Sequence, residues 1–138
     1  MPLTLTITAG ALPPGAEQTA FRRLCDAMLK HAGLAGNRFM TAAVIGSINL
    51  LPKDQTYSGL QPGEVAFVEW KVPPIAFTDR AMQVNYAAEA TQIIHDLSKG
   101  RLPKNKIWVN VVHAVEGTWG IDGQAMTSEQ LKEAIQGG

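Results

Sequence analysis

The chain has 138 residues, with 12 Lys and Arg against 12 Asp and Glu, and a single Cys. This length suits one domain, and the balanced charge argues against a dedicated nucleic-acid binder, which normally carries a basic excess. One Cys excludes an internal disulfide and a zinc site built from cysteines. At 46% hydrophobic and 17% charged residues, the chain is neither disordered nor polyelectrolyte-like.

Membrane and export signals are absent from the sequence pattern. No segment approaches the roughly 18 uninterrupted apolar residues of a membrane span. The opening residues, MPLTLTITAG, lack a positive region, and threonines interrupt their apolar positions, so they do not form a signal peptide. We therefore expect a cytoplasmic protein without a membrane partner.

The first half of the chain predicts a β-α-β unit. An alternation of apolar residues with threonines predicts a first strand, and its apolar positions are Leu3, Leu5 and Ile7. From Ala16 the apolar spacing changes to three and four, which predicts a helix that ends at Gly33 and Gly36. Its apolar stripe consists of Phe21, Leu24, Met28 and His31. The largely apolar residues 41–51 predict a second strand.

The second half repeats this order after a polar loop at residues 53–63. Residues 65–72 (VAFVEWKV) predict a strand that ends at the pair of prolines 73–74. Thr78 is suited to cap a helix that runs to about Ser98, and residues 107–112 (IWVNVV) predict a buried strand.

The C-terminal residues add an arm and a short helix. Residues 115–123 contain three glycines and predict a hairpin or an extended arm. Thr127 and Gln130 have the spacing of a capping box, which predicts a terminal helix.

These elements predict an α/β (α+β) fold within a single domain, residues 1–138. Two β-α-β units, at about 2–52 and 64–114, would form a four-stranded sheet with both helices on one face, because such crossovers are right-handed. The other sheet face carries much apolar surface, and an exposed apolar face indicates a partner. We expect a homo-oligomer.

The N-terminal dipeptide offers chemistry. A small second residue allows an aminopeptidase to remove Met1, which would leave Pro2 as a secondary amine at the start of a strand. Such an amine is a base or nucleophile once burial or nearby cations lower its pKa. The alternative is that Pro2 only begins the strand, a position where proline is tolerated.

A Pro2 strand that leads a doubled β-α-β chain resembles the tautomerase superfamily over nearly the whole length, and PLTLTIT is typical of its opening. Residues 31–36 (HAGLAG) and 106–109 (KIWV) are most similar to the cis-3-chloroacrylic acid dehalogenase branch, beside the 4-oxalocrotonate tautomerase branch. The resemblance implies a homotrimeric, barrel-like assembly and an amino-terminal proline that acts as acid or base without a cofactor.

The same resemblance assigns roles to three further residues. His31 matches a catalytic His, Glu116 matches a Glu that activates water, and Asn110 falls where the branch has a Tyr. An amide can polarise a carbonyl but cannot supply a phenolic proton. From the sequence alone, His31 could instead be a core histidine at a helix C-terminus and Glu116 an exposed loop acid.

The family's carboxylate-binding arginines are missing from their usual positions, residues 9–11 and 71–74. Lys71 and Arg80 are the nearest cations, and Arg38 could come from a neighbouring subunit. Trp119 on the arm could line a pocket or pack into a neighbour. His95 and His113 have no partners at metal-ligand spacing, so we expect no metal site.

The sequence supports three functional hypotheses. The first is a cofactor-independent keto-enol tautomerase of small 2-oxo or enol acids that uses Pro2. The second is a hydratase or dehalogenase of an unsaturated acid that uses Pro2 and Glu116. The third is a catalytically inert trimeric binding module, in which Met1 stays attached and the Pro2 nitrogen is an amide.

Overall fold

The structure, a computed structural model, describes residues 1–138. In chain order its elements are β1 (Pro2–Thr8), α1 (Ala16–His31), α2 (Arg38–Ala43), β2 (Ile45–Leu51), β3 (Tyr57–Ser58), β4 (Gln61–Pro62), β5 (Ala66–Val72), α3 (Arg80–Leu97), β6 (Ile107–His113), β7 (Gly120–Ile121), β8 (Gln124–Ala125) and α4 (Ser128–Gln136). None of the helices combines the length and apolar character needed to cross a membrane.

A four-stranded sheet in the order β2-β1-β5-β6 organises these elements. The pairs β1–β2 and β5–β6 are parallel, and β1 and β5 are antiparallel in the centre. Helices α1 and α3 pack against each other on one face. This arrangement confirms the predicted pair of β-α-β units with both helices on the same side of the sheet.

The core lies between the sheet and these helices because the strands alternate as the sequence predicted. Leu3 and Leu5 are fully buried, and they lie opposite the buried Trp70 and Val68 of β5. Gly46 allows β2 to approach β1, since a Cβ atom there would lie 1.9 Å from the Leu3 carbonyl oxygen.

A buried hydrogen-bond chain links β5 to both helices. The Trp70 indole donates to the Tyr86 hydroxyl at 2.7 Å, and that hydroxyl donates to the Leu24 carbonyl oxygen at 3.1 Å. Burial raises the pKa of Tyr86, so its hydroxyl keeps its proton. These two hydrogen bonds give partners to buried polar groups that would destabilise the core if they were left unpaired.

Two predicted boundaries were wrong. Residues 41–43 belong to α2 and not to a strand, because the Asn37 side chain accepts a hydrogen bond from the Met40 amide at 2.9 Å and begins a helix there. Helix α3 is capped by Asp79, whose carboxylate accepts from the Met82 amide at 3.0 Å. Thr78, the predicted cap, donates to the Ile75 carbonyl oxygen instead.

The remaining C-terminal prediction is confirmed. The arm forms the β7–β8 hairpin, which was one of its two predicted forms. The Thr127 hydroxyl accepts from the Gln130 amide at 3.2 Å, and the Gln130 side chain accepts from the Thr127 amide at 2.9 Å. This capping box begins α4.

The sheet face away from the helices is open and partly apolar. Its large apolar side chains are exposed to the extent of 62% for Ile45, 39% for Phe67, 64% for Trp108 and 48% for Val112. By the strand register they share this face with Thr4, Glu69 and Asn110. An apolar surface of this kind is typical of an interaction site.

Candidate active site

A cavity of about 330 Å³ lies at the start of β1. Ten of its fifteen lining residues are hydrophobic. The lining residues come from the start of β1, from α2 and the start of β2, the end of β5, the residue after β6, the arm with the β7 strand, and α4. Pro2 is one of these residues and is exposed, so the N-terminal strand presents its first residue to a mostly apolar cavity that is open to solvent.

Lys71 lines the same cavity as Pro2. Strands β1 and β5 are antiparallel with Leu3 opposite Trp70, and continuing this register by one residue brings Lys71 beside Pro2. Lys71 carries the single charged side chain in the cavity wall. A ligand anion in this cavity would therefore find the one oppositely charged side chain next to Pro2.

Met1 also forms part of the cavity wall. Its ammonium group donates to the Ala43 carbonyl oxygen at 2.8 Å, and its side chain packs against both hydrophobic clusters of the molecule. Burial lowers the pKa of this ammonium group. While Met1 is attached, the Pro2 nitrogen is an amide and has no basic lone pair.

Trp119 lies in the outer wall of the cavity, next to β7. Its indole packs against the cluster formed by Leu29, Met40 and Leu131. Its Nε1 atom is buried without a hydrogen-bond partner. The arm thus contributes a large aromatic side chain to the cavity wall, and this side chain is held by contacts with α1, α2 and α4.

His31 lies outside this cavity. Its Nε2 atom is 2.8 Å from a carboxylate oxygen of Glu89, and its ring meets the edge of Tyr86. Lys30 donates to the same carboxylate at 2.6 Å, and this hydrogen bond holds the pKa of Glu89 below its usual value, assisted by that of His31. In this chain His31 joins α1 to α3.

Glu116 is also outside the cavity and is held by α4. Its carboxylate accepts from the Ser128 amide at 2.7 Å and from the Ser128 hydroxyl. Ser128 is the first residue of α4, where a negative charge stabilises the helix dipole. The carboxylate therefore fastens the arm to the terminal helix.

The other three predicted site residues do not line the cavity of their own chain. Asn110 lies on the open sheet face, opposite Glu69. Arg38 and Arg80 are exposed first residues of α2 and α3. The structure thus brings together Pro2, Lys71 and Trp119 and leaves the remaining five apart.

Sequence reasoning missed the part of the wall that α2 and α4 supply. Met40 and Ala43 come from α2, and Leu131 comes from α4. The available signal for α2 was Asn37, which caps the helix three residues before Met40. No cluster of three His, Cys, Asp or Glu side chains suited to a metal ion is present.

Comparison by sequence identifies no relative, because no family model and no curated protein matches the chain. Comparison by structure finds many similar folds. Pt0534, solved after inactivation by 2-oxo-3-pentynoate, has a TM-score of 0.77 at 14% identity and covers 95% of this chain and 98% of its own. A wild-type fused 4-OT, solved as a symmetric trimer, has a TM-score of 0.76 at 12% identity, covering 94% and 97%.

A third structure, N1 of the cis-3-chloroacrylic acid dehalogenase family, has a TM-score of 0.72 at 12% identity and covers 99% of both chains. Each match covers nearly the full length of this chain and of the chain with which it is compared. The structural similarity establishes the fold, but sequence identities this low do not establish the reaction. The chain has the fold of the tautomerase superfamily.

Proposed function

We propose that this protein is a cofactor-independent keto-enol tautomerase of small 2-oxo or enol acids. One observation carries the proposal: Pro2 and Lys71 line the same mostly apolar cavity. Removal of Met1 would expose a secondary amine there. A cation beside an amine and an apolar surrounding both disfavour its protonated form, so they favour the free base needed for proton transfer.

The proposed reaction balances without another reagent. The Pro2 nitrogen accepts a proton from the carbon next to the ketone, and the electron pair of that C–H bond forms the C=C bond of the enol. The protonated Pro2 nitrogen then donates that proton to the former ketone oxygen, which completes the enol, and the reverse sequence returns the keto acid. Lys71 holds the carboxylate and stabilises the negative charge that develops on the oxygen.

The geometry supports tautomerisation better than water addition. The hydratase hypothesis needs Glu116 to activate water, but its carboxylate already accepts two hydrogen bonds from Ser128 and does not line the Pro2 cavity. His31, the other proposed partner of that water, is bonded to Glu89. Neither residue is needed for a proton transfer carried by Pro2.

We also propose that the active assembly is a homotrimer in which the open sheet faces are covered. The exposed apolar side chains on this face, Ile45, Phe67, Trp108 and Val112, support an interface between copies. Two fused 4-OT structures of similar fold are trimers. Asn110 lies on this face, so a catalytic role for it requires that another copy's cavity come near it.

A binding module remains the second candidate, and the placement of Met1 favours it. Its ammonium group is hydrogen-bonded to Ala43, and its side chain is packed on both clusters. A protein that keeps Met1 would have an amide at Pro2 and could bind an acid at Lys71 without transforming it.

The decisive comparison uses two forms of the same sequence. The Met1-free form is obtained by digestion with methionine aminopeptidase. The Met1-retaining form is released from a cleavable N-terminal tag that leaves Met1 as the first residue. Intact mass verifies each form, and ketonisation of phenylenolpyruvate is followed by absorbance. Activity only in the Met1-free form supports the tautomerase, whereas equal activity of both forms, or none in either, contradicts it.

A further inference from the structure

A second cavity, of about 250 Å³, adjoins the one that contains Pro2. The two cavities share Met1, Met40 and Leu131 as wall residues. These three side chains therefore stand between the two spaces. Of these three residues, Met1 is the one that must be removed for the proposed function.

The second cavity is suited to an apolar group. Eleven of its thirteen lining residues are hydrophobic. Its two polar residues already bond to the backbone: the Thr78 hydroxyl donates to the Ile75 carbonyl oxygen at 3.4 Å, and the Asp79 carboxylate caps α3. Methionines such as Met28 and Met82 line it, and their unbranched side chains adapt to the shape of a ligand.

We propose that removal of Met1 joins the two cavities into one site for a monocarboxylate with an unbranched apolar tail. The carboxylate would lie at Lys71 beside Pro2, and the tail would extend past Met40 and Leu131 into the second cavity. This inference rests on the proposed function only in requiring the Met1-free form. It specifies the substrate class as monocarboxylates with an unbranched apolar tail.

The charges of the two cavities support this choice of ligand. Lys71 is the single charged residue around the first cavity, and the Asp79 carboxylate of the second is engaged at the helix terminus. A dicarboxylate that extended from Lys71 would place its second charge among apolar side chains, which is costly without a partner. The joined site would fall in the size range of small-molecule pockets, about 300–1,000 Å³.

Saturated monocarboxylates from butanoate to decanoate test the site by calorimetric binding, because they cannot tautomerise. In the Met1-free form, the affinity should rise about fourfold with each added methylene until the joined site is full. In the Met1-retaining form, the rise should stop at shorter acids, since Met1 separates the cavities. An affinity independent of chain length in the Met1-free form, or the same dependence in both forms, would overturn the proposal.

A matched pair of variants locates the tail. Ala76 lines the second cavity, whereas Ala81 is exposed on α3 and lines neither cavity. In the Met1-free form, Ala76→Leu should shorten the longest acid that still gains affinity, and Ala81→Leu should leave the series unchanged. Circular dichroism verifies that both variants are folded; if Ala76→Leu does not fold, Met82→Ala should lengthen the series instead. Equal series for wild type and a folded cavity variant would contradict the placement.

These readouts separate the two proposals. Binding of saturated acids needs no proton transfer, so a chain-length dependence confined to the Met1-free form can hold in a protein that has no tautomerase activity. Conversely, an active tautomerase that binds butanoate and decanoate equally would keep the proposed function and refute the joined site.

Discussion

Lys71 lies beside Pro2 across the antiparallel β1–β5 pair, and both residues line one cavity. Leu3 faces the helices, so its neighbour Pro2 faces the other way, and the same alternation in β5 buries Trp70 and turns Lys71 toward the open face. The proximity of Pro2 and Lys71 therefore follows from strand register.

Lys71→Gln should weaken carboxylate binding. A hydrogen bond to a charged group contributes about 1.5–3 kcal/mol, so kcat/KM for phenylenolpyruvate should fall about 10- to 100-fold in the Met1-free form. The uncharged methyl ester of the same acid should lose little. Lys104→Gln, an exposed lysine outside the cavity, is the matched control. Equal losses for the acid and the ester would argue against carboxylate recognition by Lys71.

Glu116→Ala should reduce stability and leave the proton transfer intact. The carboxylate caps α4 through Ser128, and such a cap contributes about 1 kcal/mol to the free energy of unfolding. Urea unfolding of Glu116→Ala, Ser128→Ala and the double variant should show that the double loss is smaller than the sum. Strictly additive losses would show that the two residues do not act together.

The same residue distinguishes the two enzyme hypotheses. With Glu116→Gln, the rate of phenylenolpyruvate ketonisation per folded molecule should stay close to that of the wild type, and hydration of an unsaturated acid should not change. A variant that kept ketonisation but lost hydration of an unsaturated acid would instead support the hydratase hypothesis.

Val112→Asp should disrupt the proposed trimer. Val112 is 48% exposed on the open sheet face, where a buried charge without a partner would be costly in an interface. Light scattering after size exclusion should give the mass of a trimer for the wild type and a monomer for the variant. Val115→Asp is the control, because Val115 is exposed outside the sheet. A wild-type monomer, or a trimer that tolerates Val112→Asp, would contradict the interface.

The Glu89 carboxylate should make the free energy of unfolding depend on pH. Its folded-state pKa is lowered by the hydrogen bond from Lys30, so its stabilising contribution is present above the ordinary carboxyl pKa and is lost as pH falls through the folded value. The stability gap between wild type and Glu89→Gln should therefore narrow in urea unfolding as pH falls below the ordinary carboxyl pKa. Glu133→Gln, on the exposed side of α4, should show no such gap. A gap that widened in acid would contradict the assignment.

The fold was predictable because its strands follow simple periodicities. Leu3, Leu5 and Ile7 alternate as a half-buried strand requires, and the sheet buries all three. Helix α2 was not predictable from apolar content, because its last residues, 41–43, join the largely apolar stretch 41–51 without a break. The Asn37 side chain, which lies before this stretch, begins the helix, and a cap of that kind competes with strand formation only through a local hydrogen bond.

The placement of a candidate site residue was predictable only where its position on a paired strand determines its neighbours. Pro2 and Lys71 lie at known places on two paired strands, so their neighbourhood follows once the register is known. His31 extends an apolar helix stripe, but the partner that engages it, Glu89, lies 58 residues away on α3. Long-range contacts of that kind depend on packing that periodicity does not specify. The same is true of Leu131 of α4, which lines the Pro2 cavity.

The most direct test of the account is the kcat/KM of Met1-free Pro2→Ala for phenylenolpyruvate, with removal of Met1 verified by intact mass. Acid–base groups contribute about 10²- to 10⁴-fold to rate, so we predict a loss of at least the lower value. Pro14→Ala, in an exposed loop, should keep the wild-type value. A Met1-free Pro2→Ala enzyme with wild-type kcat/KM would contradict the claim that Pro2 carries the reaction.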